Sequence, residues 1–310
     1  MIKRTLYFGN PAYLSTSNEQ LVIKLPEVET NDSLPDSFKK ETVRSVPIED
    51  IGVVVLDNSR ITITHGVLDK LLANNSAVIT CNASHLPYGL FLPLDGNTTQ
   101  NERYRCQLEA SVPLCKQLWK QTIEQKILNQ AKVLEKVMGE PAKNMLAWAA
   151  DVRSGDSENK EARAAAYYWK TIFPNLPNFV RGQEGDPPNN LLNYGYAILR
   201  AVVARSLVIS GLLPTLGIHH HNRYNAYCLA DDIMEPYRPY VDTVVIDLMK
   251  NYAIDEISQE VKIALLKIPD MEVMIGGKRT KLMVAVSQTT ASLYKCFTGE
   301  LRKILYPEME

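Results

Sequence analysis

The hydrophobic period changes once along this chain, and that change limits what it can fold into. Up to about residue 96 the apolar residues come in short runs rich in Val, Ile, Thr and Tyr. The runs at 5–8, 12–14, 20–25, 43–46, 52–56, 61–64, 77–81 and 89–92 read as strands. Gly9-Asn10-Pro11 and Ser15-Thr16-Ser17-Asn18 punctuate them as turns. The polar stretch 27–41, with Pro35, reads as a long hairpin tip or mobile loop. One helix is expected over 66–73, where Val67, Leu68, Leu71 and Leu72 recur at helical spacing. After the polar joint Asp95-Gly-Asn-Thr-Thr-Gln-Asn101 the period becomes 3.6. Helices are predicted over 103–138 (bent near Pro113), 142–150, 160–172, 190–210, 226–234, 240–250, 258–266 and 281–305. The expected architecture is α+β in two domains. A small β-rich domain covers 1–96, a linker covers 97–103, and a large all-helical domain covers 104–310.

Charge narrows the function. The chain has 310 residues with 34 basic and 35 acidic side chains, so it cannot coat nucleic acid by bulk positive charge. Residues 1–100 carry 8 basic against 11 acidic groups, and 101–310 carry 26 against 24, so any nucleic-acid contact must be a local patch. No signal-peptide run follows the N-terminus. The apolar stretch 197–213 contains Arg200 and Arg205, which makes it a buried helix and not a membrane span. Cys81, Cys106, Cys115, Cys228 and Cys296 are scattered and form no CxxC pair, as expected of reduced thiols in a cytosolic protein. No GxxxxGK[ST], GxSxG, HExxH or GxGxxG occurs, which removes the P-loop, hydrolase-elbow, zincin and dinucleotide readings.

Three polar segments stand out. The densest runs from Gly217 to Arg238 and holds His219, His220 and His221 in one loop, then Asp231, Asp232 and Glu235. Asp232 and Glu235 are three apart and share a helix face; with an imidazole nearby, they suit a hard divalent ion. A solvated loop beside a charged helix face explains the same spacing. In the second segment Glu161 opens the run Ala-Arg-Ala-Ala-Ala-Tyr-Tyr168; on its residues alone it is a surface carboxylate as readily as a buried one. The third, Asn190-Leu-Leu-Asn-Tyr-Gly-Tyr-Ala197, reads as a capped core helix with Asn193 and Tyr196 on neighbouring faces of its first turns.

Together and in this order, Glu161-Ala-Arg-Ala-Ala-Ala-Tyr-Tyr168, Asn190-Leu-Leu-Asn-Tyr-Gly-Tyr-Ala197, Leu216-Gly-Ile-His-His220 and Asp232-Ile-Met-Glu-Pro-Tyr-Arg238 resemble the CRISPR-associated integrase family. That family is the catalytic subunit of the universal adaptation pair, which inserts new spacers into the CRISPR array. The resemblance spans essentially the whole chain. The approach over 39–51 and the Asn-Tyr-Gly-Tyr spelling are most similar to members from type II systems. The resemblance implies a bacterial cytoplasmic, divalent-metal-dependent endonuclease and integrase using Mg²⁺ or Mn²⁺. Its catalytic and metal-binding residues would be Glu161, His220 and Glu235, with Asp232 as a further ligand. His220 is chosen by counting three residues from Gly217, and His219 and His221 flank it. The implied partners are a second copy of the chain, paired through the β-rich domain, and a small ferredoxin-like adaptation subunit. A double-stranded DNA fragment and the CRISPR repeat DNA complete the assembly.

Candidate DNA contacts are Arg200, Arg205, Arg223 and Arg238 near the proposed centre, and Lys278, Arg279 and Lys281 after Gly276-Gly277. Tyr167, Tyr168 and Tyr194 could stack on bases, though at least two of them are expected in the core. Two rival classes are a helical DNA- or protein-binding scaffold without catalysis, and a zinc hydrolase built on the three adjacent histidines.

Overall fold

A computed structural model describes residues 3–182, 186–252 and 257–310. The chain divides into two units, Met1–Leu94 and Asp95–Glu310.

The first unit holds strands β1 (Arg4–Phe8), β2 (Tyr13–Ser17), β3 (Gln20–Lys24), β4 (Arg44–Pro47), β5 (Ile51–Leu56), β6 (Thr62–Ile63), β7 (Ala77–Cys81) and β8 (Pro87–Phe91). Helices α1 (Pro26–Glu29), α2 (Asp36–Thr42) and α3 (His65–Ala73) connect them. One sheet has the order β1-β5-β7-β8, with β8 antiparallel to the other three. The other has the order β4-β3-β2-β6. In β5, Ile51, Val53, Val54 and Val55 are all fully buried, the unbroken apolar run of a parallel strand covered on both faces. Val67 and Leu71, one turn apart on α3, join Leu14, Leu21, Ile48, Ile51, Val54 and Val78 in the core.

Two local expectations change. Residues 15–17 belong to β2, and the hairpin turn lies one step later, where Asn18 and Glu19 both take positive φ. The 27–41 stretch does link two paired strands, but it folds into α1 and α2.

The second unit contains α4 (Gln100–Leu108), α5 (Val112–Met138), α6 (Lys143–Ala150), α7 (Lys160–Thr171), α8 (Asn189–Ile209), α9 (Cys228–Met234), α10 (Arg238–Asn251), α11 (Gln259–Leu266) and α12 (Leu282–Phe297). The helix expected over 103–138 is two helices. Ser111 accepts from the Leu114 amide and Pro113 lies in the first turn, so a new helix starts where a bend was expected. Gly139, at φ 76°, ends it. Residues 97–103, read as a linker, are part of this unit: Asn97 donates to the Ile209 carbonyl and α4 begins at Gln100.

This unit is not all-helical. β9 (Glu272–Ile275), β10 (Lys278–Lys281) and β11 (Pro307–Glu308) form a small antiparallel sheet in the order β10-β9-β11. Gly276 and Gly277, at φ 56° and 73°, make the tight turn between β9 and β10. α12 stops at Phe297, short of the expected residue 305, because Gly299 takes the left-handed conformation that reverses the chain toward β11. α8 is long and apolar enough to cross a membrane by length and composition, yet 78% of its apolar window is packed inside the protein. It is the central core helix of this unit.

Candidate active site

α5 supplies the floor of the site. Trp119, Thr122 and Lys126 lie at helical spacing on its buried face, among Leu118, Ile123 and Ile127. A lysine on such a stripe needs a carboxylate partner, and Lys126 has two. Its Nζ is 2.6 Å from Glu161 Oε1 and 2.6 Å from Glu235 Oε2. Two contacts to one nitrogen keep those oxygens within twice that distance, although Glu161 and Glu235 are far apart in sequence. Burial works against the Lys126 charge, but Glu235 and Glu161 outweigh it and hold the ammonium above its ordinary range.

Glu161 is placed by a doubly capped helix start. Asp156 accepts from the backbone amides of Lys160 and Glu161, and Asn159, at φ 53°, accepts from that of Ala162. Ala164 and Tyr168 follow at helical spacing and are fully buried, so the small residues let α7 approach the core. Glu235 follows α9 in a single tight turn and is 5% exposed. Burial by itself would raise its pKa, but Arg238 and Lys126 outweigh that and hold the carboxyl below its ordinary range. Arg238 Nε lies 2.9 Å from Glu235 Oε1.

The histidines sit in the loop before α9, and Asp232 organises them. Asp232 is fully buried and accepts from the His219 backbone amide at 2.9 Å. Its Oδ1 meets His220 Nδ1 in a short contact. That contact holds the imidazolium of His220 above the ordinary histidine range; the charges of Glu235 and Glu161 act in the same direction. His219 stacks flat on Trp119, with ring centroids 4.1 Å apart, and burial lowers its affinity for a proton. His221 is exposed. The three rings therefore take three different environments. Asp232 and Glu235 do not act as one face. The first turns toward the histidine loop and the second toward Lys126.

Among the described residues, no three His, Cys, Asp or Glu side chains already close around a common point. The donor set still fits a divalent cation. Glu161 and Glu235 offer carboxylate oxygens and His220 retains Nε2, a mixture that suits Mg²⁺ or Mn²⁺. Glu235 Oε2 is buried with Lys126 at ion-pair distance but without a well-formed hydrogen bond, so that oxygen is open to the cation that occupies the site.

Another buried carboxylate, Asp242, lies behind the site. Asp242 accepts from Tyr168 OH at 2.7 Å and from Tyr196 OH, and Arg181 and Arg238 bear on it electrostatically. Burial raises it to about 6 despite those partners. The folded state therefore keeps a proton that the unfolded chain releases near the ordinary aspartate value. The stability from this group is full below that value and is lost as pH rises through about 6. Relative to wild type, Asp242→Asn should gain about 2–3 kcal/mol between pH 4 and pH 7. Urea unfolding of both proteins across that range checks it; a constant difference would contradict it.

The family profile described as CRISPR associated protein Cas1 matches residues 6–267. The chain belongs to the Cas1 family. It is 34% identical over 307 residues to the CRISPR-associated endonuclease Cas1 of Neisseria meningitidis serogroup C, covering 98% of this chain and 95% of that protein. A Pyrobaculum aerophilum relative, CRISPR-associated endonuclease Cas1 2, is 33% identical over 67% of this chain and 75% of its own. Among solved structures, a casposase bound to integration product aligns with TM-score 0.77 at 20% identity, covering 100% of this chain and 95% of that one. A CAS1 protein from Thermotoga maritima aligns with TM-score 0.73 at 14% identity, covering 99% and 100%. At these identities the structural likeness is one of fold.

In this Cas1-family chain the candidate DNA contacts separate by burial. Arg205 is 5% exposed inside α8, and burial lowers it to about 10, so it is a core residue and not a surface contact. Arg238 is committed to Glu235 and packs over the Tyr196 ring. Arg200 is ion-paired with Asp231 at 2.6 Å and keeps 41% of its side chain exposed. Arg223 is exposed beside Tyr224. Lys278 and Arg279 are exposed on β10, with Arg279 paired to Glu310, and Lys281 pairs with Asp270. Tyr168 and Tyr194 are fully buried, which leaves Tyr167 as the half-exposed member of the three. Asn193 accepts from Arg181, and Tyr196 donates to Asp242, so the third segment is structural.

Proposed function

We propose that this chain is the integrase subunit of CRISPR adaptation in a type II system, acting in the bacterial cytoplasm. It would join a short double-stranded DNA fragment to the CRISPR repeat. The observation that carries this reading is the convergence of Glu161 and Glu235 on one nitrogen, beside a His220 whose Nδ1 is held by Asp232. It is supported by membership of a family whose curated relatives are named endonucleases.

In the reaction, the 3′-hydroxyl of the fragment gives up its proton to solvent and its oxygen forms a bond to a repeat phosphorus. The bond to the 3′-oxygen of the neighbouring repeat nucleotide breaks, and that oxygen takes up a proton. With water as nucleophile the same site is an endonuclease. Glu161, His220 and Glu235 would hold Mg²⁺ or Mn²⁺, which when bound offsets the charge gathering on the phosphate. Asp232 serves as the orienting partner of His220, fixing Nδ1 so that Nε2 faces outward. No covalent protein intermediate is needed, and no nucleophilic side chain is required of the site. The test is joining of a labelled fragment by the purified chain with its small adaptation subunit. Joining should require Mg²⁺ or Mn²⁺ and stop with a chelator; joining unaffected by chelation would defeat the metal reading. Divalent-dependent binding of DNA without joining would favour a scaffold.

Both ends of a fragment must be joined, so two sites are needed. The first unit is suited to pair two copies, because β8 is an edge strand and Tyr88 and Phe91 on it are 86% and 45% exposed. Pairing through this unit should bury more than about 1,000 Å² and yield a two-fold dimer. Light scattering at micromolar concentration should give twice the mass of 34.9 kDa. A monomer that still joins both ends would contradict this arrangement. The small ferredoxin-like subunit would then join this dimer in holding the fragment.

A further inference from the structure

We propose that Lys126 is the resident counter-cation of this site, and that a divalent ion enters by displacing its ammonium group from between Glu161 and Glu235. The inference rests on the metal-binding reading above and adds to it a residue that competes with the ion.

Position is the first argument. Lys126 Nζ lies 2.6 Å from an oxygen of each carboxylate, the place a bridging cation would take. Two cations in ion-pair contact with the same two oxygens would be within a few ångströms of each other, and at that separation their repulsion is large in a site shielded from water. Occupation by one therefore excludes the other. Burial is the second argument. The Lys126 side chain is 9% exposed and that of Glu235 is 7%, so in the absence of an ion the ammonium, together with Arg238, compensates the buried carboxylate.

The exchange is also feasible. Arg238 Nε, 2.9 Å from Glu235 Oε1, stays behind to compensate Glu235 when Lys126 leaves. Lysine's ammonium is a compact charge on a flexible four-carbon stem, able to swing while its helix stays fixed. Lys126 thus preforms the spacing of the two carboxylates and lowers the affinity for the ion that replaces it.

Titration of Mn²⁺ into the folded full-length wild type and Lys126→Met tests this. Mn²⁺ should bind the variant about tenfold more tightly, and the ion should recover more thermal stability in the variant than in wild type. A lysine with a purely structural role would leave affinity unchanged or, on its removal, weaken it; either result overturns the inference while leaving the metal reading standing. Failure of both proteins to bind Mn²⁺ would remove the metal reading and the inference with it. An arm that needs no variant is acylation of lysines in the wild type, read by peptide mass. Labelling of Lys126 should rise several-fold when Mn²⁺ is added, and labelling that stays unchanged overturns the displacement.

Discussion

Glu161→Gln is expected to reduce strand joining by about a thousandfold or more, with the folded protein nearly intact. The carboxylate sits in the first turn of α7, and its backbone is held by Asp156 and Asn159 whatever the side chain is. Glutamine is the same size and keeps one oxygen, so packing around Ala164 and Tyr168 should not change. It loses the negative charge that faces Lys126. The cost in stability should stay near 1 kcal/mol, because Glu161 is partly exposed and Lys126 keeps Glu235. Joining rate and melting temperature together check this. A variant that joins at more than a tenth of the wild-type rate would remove Glu161 from the chemistry.

The second large effect belongs to the histidine loop. His220→Ala should lower joining by about a hundredfold or more, whereas His221→Ala should stay close to wild type. What sets His220 apart is that its Nδ1 is bound to the buried Asp232, which orients the ring. Asp232→Asn should cost about 10–100-fold through loss of orientation. Gly217→Ala should reproduce the His220 defect without replacing any ligand side chain. A Cβ at Gly217 would overlap the His220 carbonyl oxygen and lie 2.8 Å from Asp232 Oδ2, and neither neighbour is a flexible chain end. Kinetics on the four variants check this series. Loss of joining in His221→Ala with His220→Ala active would shift the loop register by one residue.

Much of this was legible in the residues. The change of period located the passage from sheet to helix, and most strands and helices lie where alternation or 3.6-residue spacing placed them. The misses have physical reasons. The β9–β10 hairpin was announced by Gly276-Gly277, a dipeptide able to take two positive φ values in succession. The charges of Lys278, Arg279 and Lys281 drew the reading toward a basic patch instead. Arg200 and Arg205 lie on one helix that the sequence marks as buried, but only the fold shows that Arg205 faces the core while Arg200 keeps an exposed side chain. Lys126 was readable in principle, since it interrupts the apolar stripe of Ile123 and Ile127. Its partners were not, because Glu161 and Glu235 reach it only through tertiary folding. Likewise Asp232 and Glu235 share a spacing that suggests one cluster, and the tight turn after α9 sends them to different tasks.

The central claim is that this chain joins DNA by direct attack of a 3′-hydroxyl, and one measurement addresses it most directly. The purified chain, its small adaptation subunit and a repeat-containing duplex are incubated with Mn²⁺ and a labelled fragment ending in either 3′-hydroxyl or 3′-dideoxy nucleotides. The account predicts covalently joined product from the hydroxyl fragment alone, lost again in Glu161→Gln. Equal joining of the dideoxy fragment, or none from either in the presence of the partner and the ion, would contradict it.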